Sequence, residues 1–355
     1  MISHNRYLSS QKWNASIEAL PFKVPINIIG HSVLNQPIYA HMLGNGPVKV
    51  LLWSQMHGNE STTTRALLEV FKMLFQPEGQ SLLTALTLMV IPQLNPDGAD
   101  AYTRHNANGV DLNRDALDLT QPESIALDAV FKSFSPNFCF NLHGQRTIFS
   151  AGKKGKPATL SFLSPAANQE RGLTDARSKA MQLIAGIHKS LQQHIPGQIG
   201  RYDDTFNPNC VGDRFTSLGV PTVLYESGHH GLDYDRNFTK EITIKALISG
   251  LQSIASKDYL NQSIDDYNLI PQNSKDYVDL IVENVEIRSG GAVYKNQELA
   301  LQFQEKKKGD EVLFRPICIN FAKKLDFLAH NRLSADKILR EPCVDYTEGK
   351  TIEIF

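Results

Sequence analysis

His57 and Glu60 stand three residues apart in Trp53-Ser-Gln-Met-His57-Gly-Asn-Glu60-Ser-Thr-Thr-Thr64, where an apolar run breaks abruptly into polar residues. On a turn that becomes a helix, an imidazole and a carboxylate at this spacing point the same way, so one cation can take both. Such a pair is common by chance and needs a third ligand. His143 is the best candidate, because it too ends an apolar strand, and Gly144 lets the backbone bend close to a metal. Zinc in hydrolytic sites takes three ligands from His, Asp and Glu and leaves the fourth position for water, whose pKa falls to about 7. A base must accept that water's proton, and Glu226 fits because it abruptly ends the run Val220–Tyr225.

Between Asn95 and Asp115 lies a loop rich in side chains that bind anions: Arg104, Asn106, Asn108, Asn113 and Arg114, with Gly98 and Gly109 as turn formers. An arginine grips a carboxylate with two parallel hydrogen bonds, and a second arginine nearer the metal can stabilise an oxyanion.

These groups need strand ends to hold them. Val24–Ile29, Pro37–Met42 and Val48–Ser54 read as β segments, the last nearly all apolar, as in a strand buried on both faces. Helical spacing covers Thr64–Phe75, with Ser61 or Thr62 as N-cap, and then Glu123–Phe134, Ala167–Gln193 and Thr239–Ser256. Further strands are expected at Leu86–Gln93, Asn137–Leu142 and Val220–Tyr225, with a turn at Asn95–Gly98 and a long loop over 195–217. Polar clusters that fall just after strands predict an open α/β sheet with its site at the strands' carboxyl ends.

The 355 residues divide by composition into a catalytic part (1–258), a polar linker (259–275) and a small β-rich appendage (276–355) containing a short helix near Ala335–Leu339. Lysine plus arginine (36) balances aspartate plus glutamate (37), so no overall field favours nucleic acid or a membrane surface. The four cysteines have no close spacing and read as reduced core thiols. No stretch reads as a signal peptide or approaches the ~20 apolar residues of a membrane span, and a cytoplasmic location is the expectation. Oligomeric state is not readable.

Taken in order, His57-Gly-Asn-Glu60, Asn95-Pro-Asp-Gly98, Thr103-Arg104-His-Asn106-Ala-Asn108-Gly-Val-Asp-Leu-Asn113-Arg114, Leu142-His143 and the strand-ending Glu226 resemble the zinc metallocarboxypeptidase family over about residues 48 to 250. The similarity is greatest to its compact bacterial branch. The resemblance implies an α/β fold with a mixed, twisted sheet of about eight strands flanked by helices. It implies one Zn2+ per chain on His57, Glu60 and His143, with Glu226 as general base and acid and Arg104 as electrophile to the carbonyl. Asn113 and Arg114 are implied as the clamp for the free carboxylate of a peptide or amino-acid-derived substrate. The family's substrate-capping tyrosine lies some twenty residues before the catalytic Glu, which makes Tyr202 the nearest candidate.

Asp115-Ala116 stands where the family usually has Asn-Phe or Asn-Trp, so the packing behind the clamp is expected to differ. His-Gly-Asn-Glu and Asp-Leu-Asn-Arg also occur in the related aspartoacylase and succinylglutamate desuccinylase branch, which cleaves N-acyl amino acids and has a C-terminal β-domain. The Asn95–Gly98 turn and the setting of Arg104 favour the peptidase side. A non-catalytic carboxylate-binding module is a third reading, but it has no need of Glu226. His229 and His230 are expected to line the pocket or cap a turn, His105 to face solvent, and Lys153, Lys154 and Lys156 to lie on a solvated loop.

Overall fold

The computed structural model describes residues 2–4, 6–339 and 343–352. Eight strands form one mixed sheet. In chain order they are β1 (Asn27–His31), β2 (Pro37–Leu43), β3 (Val48–Ser54), β4 (Leu86–Ile91), β5 (Phe138–Gly144), β6 (Leu160–Leu163), β7 (Ile199–Arg201) and β8 (Thr222–Ser227). Their spatial order is β1-β2-β4-β3-β5-β8-β6-β7. The four central strands, β4, β3, β5 and β8, run parallel, so their carboxyl ends share one edge.

Along β3, Val50 and Leu52 enter one core and Leu51 and Trp53 the other, all of them essentially inaccessible to solvent. This explains the unbroken apolar run, since both faces of the strand are covered. Helices α2 (Ser61–Leu74), α6 (Asp175–Leu191) and α8 (Asn237–Ser256) cover the first face, and α5 (Pro122–Phe134) and α7 (Val211–Ser217) the second. The remaining helices up to α8 are α1 (Ser10–Glu18), α3 (Gln80–Ala85) and α4 (Pro96–Ala101).

Several sequence expectations change in detail. Helix α2 begins at Ser61 with Glu60 in the cap position, and the Glu60 side chain makes no cap bond because it turns toward the two histidines. Asn95-Pro-Asp-Gly98 starts a short helix rather than a simple turn: Asn95 accepts from the Gly98 amide at 2.8 Å and Pro96 occupies the first turn. The segment 195–217 contains β7 and α7, and α6 begins only at Asp175, capped by Thr174. The polar stretch 259–275 is packed, with Tyr267 fully buried in the first core.

The C-terminal region forms a six-stranded sheet built on β9 (Tyr277–Ser289), β10 (Ala292–Lys308), β11 (Glu311–Ala322) and β12 (Leu328–Ser334). The β-rich composition takes the form of long strands, and β9 passes through an irregular register between Val282 and Val285. The expected helix near Ala335–Leu339 is one 3-10 turn, Ala335–Lys337, and residues 340–342 and 353–355 of the predicted appendage lie outside the described residues. The N-terminal strand Ile2–His4 pairs antiparallel with β11, so this sheet draws on both ends of the sequence. Among the described residues no helix is long and apolar enough to cross a membrane.

Asp279 on β9 ties the C-terminal sheet to the loop after β8. It is almost fully buried and accepts hydrogen bonds from the Tyr234 hydroxyl (2.8 Å), the Phe303 amide (2.6 Å) and the Gln302 amide nitrogen. Burial pushes its pKa up to about 6, while the bonds from Phe303, Tyr234 and Thr147 pull the other way. A carboxyl whose folded pKa exceeds its unfolded value contributes stability below the unfolded pKa and loses it as pH rises through the folded one. The unfolding free energy of the native protein, relative to Asp279→Asn, should therefore fall by up to about 3 kcal/mol from about pH 4 to about pH 6. Urea titrations of both proteins across this range check it, and a pH-independent difference would exclude the linkage.

Candidate active site

The loop after β3 is held against the loop after β4. Leu94 and Asn95 donate their amides to the Ser54 and Gln55 carbonyls, and the Asn95 side chain donates to the Met56 carbonyl at 3.2 Å. Gln55 adopts a left-handed φ of 44° and its side chain donates to the Gly58 carbonyl at 2.7 Å. A Cβ on Gly58 would stand 1.9 Å from the Gly98 carbonyl carbon, so the close approach that turns His57 inward requires glycine.

His57, Glu60 and His143 present ligand atoms all within 4.8 Å of one another. Glu60 Oε1 lies 2.9 Å from His57 Nδ1, and Oε2 lies 3.0 Å from His143 Nδ1 and accepts from the Gly144 amide at 2.9 Å. The two imidazole Nδ1 atoms face each other at 3.1 Å. Two nitrogens and a carboxylate converging on one point are a donor set that suits zinc and leaves a position for water. Burial alone would lower the pKa of His57, but Glu60 and Asp111 raise it to about 9. Burial also disfavours the ionised form of Glu60, and the two histidines overcome this and hold it well below the usual carboxylate range.

Asp111, whose residue type alone assigns it no role, lies inside the Asn-Gly-Val-Asp-Leu-Asn-Arg string. Its Oδ1 meets His57 Nε2 at 3.1 Å and accepts from the Asn113 amide at 2.9 Å. Its Oδ2 accepts from Arg104 Nε and Nη2 at 3.1 and 3.0 Å. One carboxylate thus fixes the orientation of His57, leaving its Nδ1 for the metal, and holds the Arg104 guanidinium so that Nη1 reaches within 3.5 Å of Glu60.

Glu226 sits on β8 in register with His143 on β5, and residues paired across adjacent strands project to the same face. Both lie within their strands rather than just beyond them. Burial, followed by the neighbouring negative charge of Glu60, raises the Glu226 pKa well above its ordinary value, with His57, Arg104 and Arg236 opposing. Its Oε2 is buried without a hydrogen-bond partner. An unsatisfied carboxyl of raised pKa beside a metal site suits a group that takes and returns a proton.

Asn113 Oδ1 accepts from the Val211 amide at 3.0 Å, and Arg114 Nη1 donates to the Asn113 carbonyl (2.7 Å) and to Cys210 Sγ (3.0 Å) with the rest of its guanidinium exposed. Asp115 is buried and accepts from Thr120 and Gln121, folding the loop behind the clamp, while Ala116 enters the second core. Asn106 and Asn108, read from the sequence as anion binders, are engaged in structure instead: their side-chain amides donate to Gln121, and that of Asn106 also to Glu123. Tyr202, directly after β7, packs edge-on against Phe149 and lines the same cavity as Glu226; burial, then Glu226 and Glu60, raise its pKa. His229 is buried with Nε2 on the Gly231 carbonyl, and neither it nor His230 joins the metal group. His105 and the three lysines at 153, 154 and 156 are exposed.

Residues 11–154 match the model of the zinc carboxypeptidase family, a span that includes His57, Glu60, Arg104, Asn113, Arg114 and His143 but stops short of Tyr202 and Glu226. Carboxypeptidase 2 of Trichophyton rubrum is 31% identical over 113 residues, covering 31% of this chain and 20% of that protein. Carboxypeptidase D of Homo sapiens is 28% identical over 144 residues, covering 33% of this chain and 10% of that one. The chain thus spans a fifth or less of these relatives. The metallo-carboxypeptidase of Burkholderia cenocepacia superposes with a TM-score of 0.56 at 16% identity over 71% of this chain and 70% of that one. That of Pseudomonas aeruginosa gives 0.54 at 19% over 72% and 70%. The fold is like that of these metallo-carboxypeptidases, and residues 11–154 are similar in sequence to the zinc carboxypeptidase family.

Replacing Asp111 with Ala removes the partner of His57 Nε2 and should weaken zinc binding about 10- to 100-fold. Competition with a chelator of known affinity measures this, and unchanged affinity would show that Asp111 does not orient the ligand.

Proposed function

We propose that the chain is a zinc-dependent carboxypeptidase, which hydrolyses the amide bond next to a free carboxylate in a peptide or peptide-like substrate. The observation that carries this reading is the convergence of His57, Glu60 and His143 within 4.8 Å on a strand edge where Glu226 stands in register with His143. The family match and the fold support it.

Arg114, with Asn113 beside it, faces solvent with free donors and binds the terminal carboxylate. Zinc, when bound, acts as a Lewis acid and makes a water available for deprotonation near neutral pH. Glu226 takes the proton of the attacking water and returns it to the leaving amine, a double duty that its raised pKa favours. Arg104, oriented by Asp111, stabilises the negative charge that develops on the scissile carbonyl oxygen. Tyr202 closes over the substrate from the end of β7.

Glu226→Gln keeps the shape of the site but cannot cycle a proton. It should retain one zinc per chain by metal analysis and lose about 10²- to 10⁴-fold in kcat. The same assay with C-terminally amidated peptides should show little turnover. Full activity of the Gln variant, or equal hydrolysis of amidated and free peptides, would refute the scheme. Faster turnover of N-acyl amino acids than of any peptide would point to a deacylase.

A further inference from the structure

A cavity of about 630 Å³ opens from the reacting groups, and it is built by both sheets. Glu60, Arg104, Gly144, Tyr202 and Glu226 come from the catalytic sheet and its loops, while Gln302, Phe303, Gln304 and Glu305 come from β10. Neither Asn113 nor Arg114 is on its wall. A substrate whose free carboxylate sits on that clamp therefore places its other portion, on the amino side of the scissile bond, in this cavity. The volume is that of a drug-sized ligand, which suits a short segment.

Four arginines, Arg6, Arg104, Arg146 and Arg236, line the cavity with three carboxylates, Glu60, Glu226 and Glu305. Arg6 is paired with Glu305, which also accepts from Tyr102 at 2.6 Å. Arg104 is paired with Asp111, and Glu60 is committed to the histidines. Arg146 is exposed and has no hydrogen bond or ion pair among the described residues. Arg236 is 4% exposed and donates only to the carbonyls of Ser227 and Gln145, leaving Nε buried without a partner. Burial and the nearby Arg6 lower its pKa to about 10, with Glu305, Tyr102 and Glu60 opposing. Its charge acts on Glu226 without a hydrogen-bonded ion pair, and an incoming carboxylate meets the same positive field.

We propose that this cavity selects substrates with an acidic residue on the amino side of the scissile bond, its carboxylate held by Arg146 and drawn in by the positive field of Arg236. This rests on the carboxypeptidase reading above. A carboxylate here gains a charge-assisted bond that an amide of the same shape does not.

The test uses zinc-loaded, full-length protein and pairs of short peptides that share a C-terminal residue and differ only in Glu or Gln before it. The Glu peptide should have a kcat/KM about tenfold higher. Arg146→Gln should bring the ratio close to one, and Arg146→Lys should restore part of it. Equal rates in the native protein, or a preference that survives Arg146→Gln, overturn the proposal. If neither peptide is cleaved, the carboxypeptidase reading fails, and calorimetric binding of the same pair decides the anion site alone. Tighter binding of the Glu peptide that Arg146→Gln abolishes supports the site, and equal or absent binding rejects it.

Discussion

Two imidazole nitrogens and a carboxylate held about 3 Å apart constitute an arrangement that no chain adopts without support, because each group must be desolvated and aimed at the same point. Much of the structure supplies that support. Parallel strands β3 and β5 end side by side, which brings His57 and His143 to one edge. The absence of a side chain at Gly58 lets the ligand loop press on α4, and Asp111 ties the far nitrogen of His57 to Arg104. The apolar cores on both faces keep the strand ends in place, so small displacements of the ligands are opposed by packing as well as by hydrogen bonds.

The central sheet was largely legible in the sequence because strands buried on both faces write a mostly apolar run, as β3, β4, β5 and β8 do. Short edge strands write much less. Leu160–Leu163 and Ile199–Arg201 are too brief for any period to emerge, and α7 is hidden among Gly, Pro and Asn residues. The metal trio could be read because ligand chemistry restricts the residue types. Arg146 and Arg236 could not, since an arginine that lines a cavity looks like any surface arginine until its surroundings are known.

Asp111 shows a different kind of limit. It stood in plain view inside a recognised string, yet its task depends on the second nitrogen of a histidine 54 positions earlier. Asn106 and Asn108 err in the other direction, because amides that could bind an anion instead satisfy Gln121 and Glu123 and shape the loop that carries Arg104. Side-chain type sets what a residue can bind. The fold decides which of those partners it meets.

The pairing of Ile2–His4 with β11 has a consequence for how the molecule comes into being. Strand Ile2–His4 is made long before residues 312–314 give it a neighbour, and Arg6 waits almost as long for Glu305. Contacts so distant in sequence form late. The metal ligands, complete once residue 143 has been made, belong to an earlier stage of synthesis than the wall of the cavity they serve. A nascent chain therefore holds His57, Glu60 and His143 well before it acquires the strand that encloses the cavity beside them.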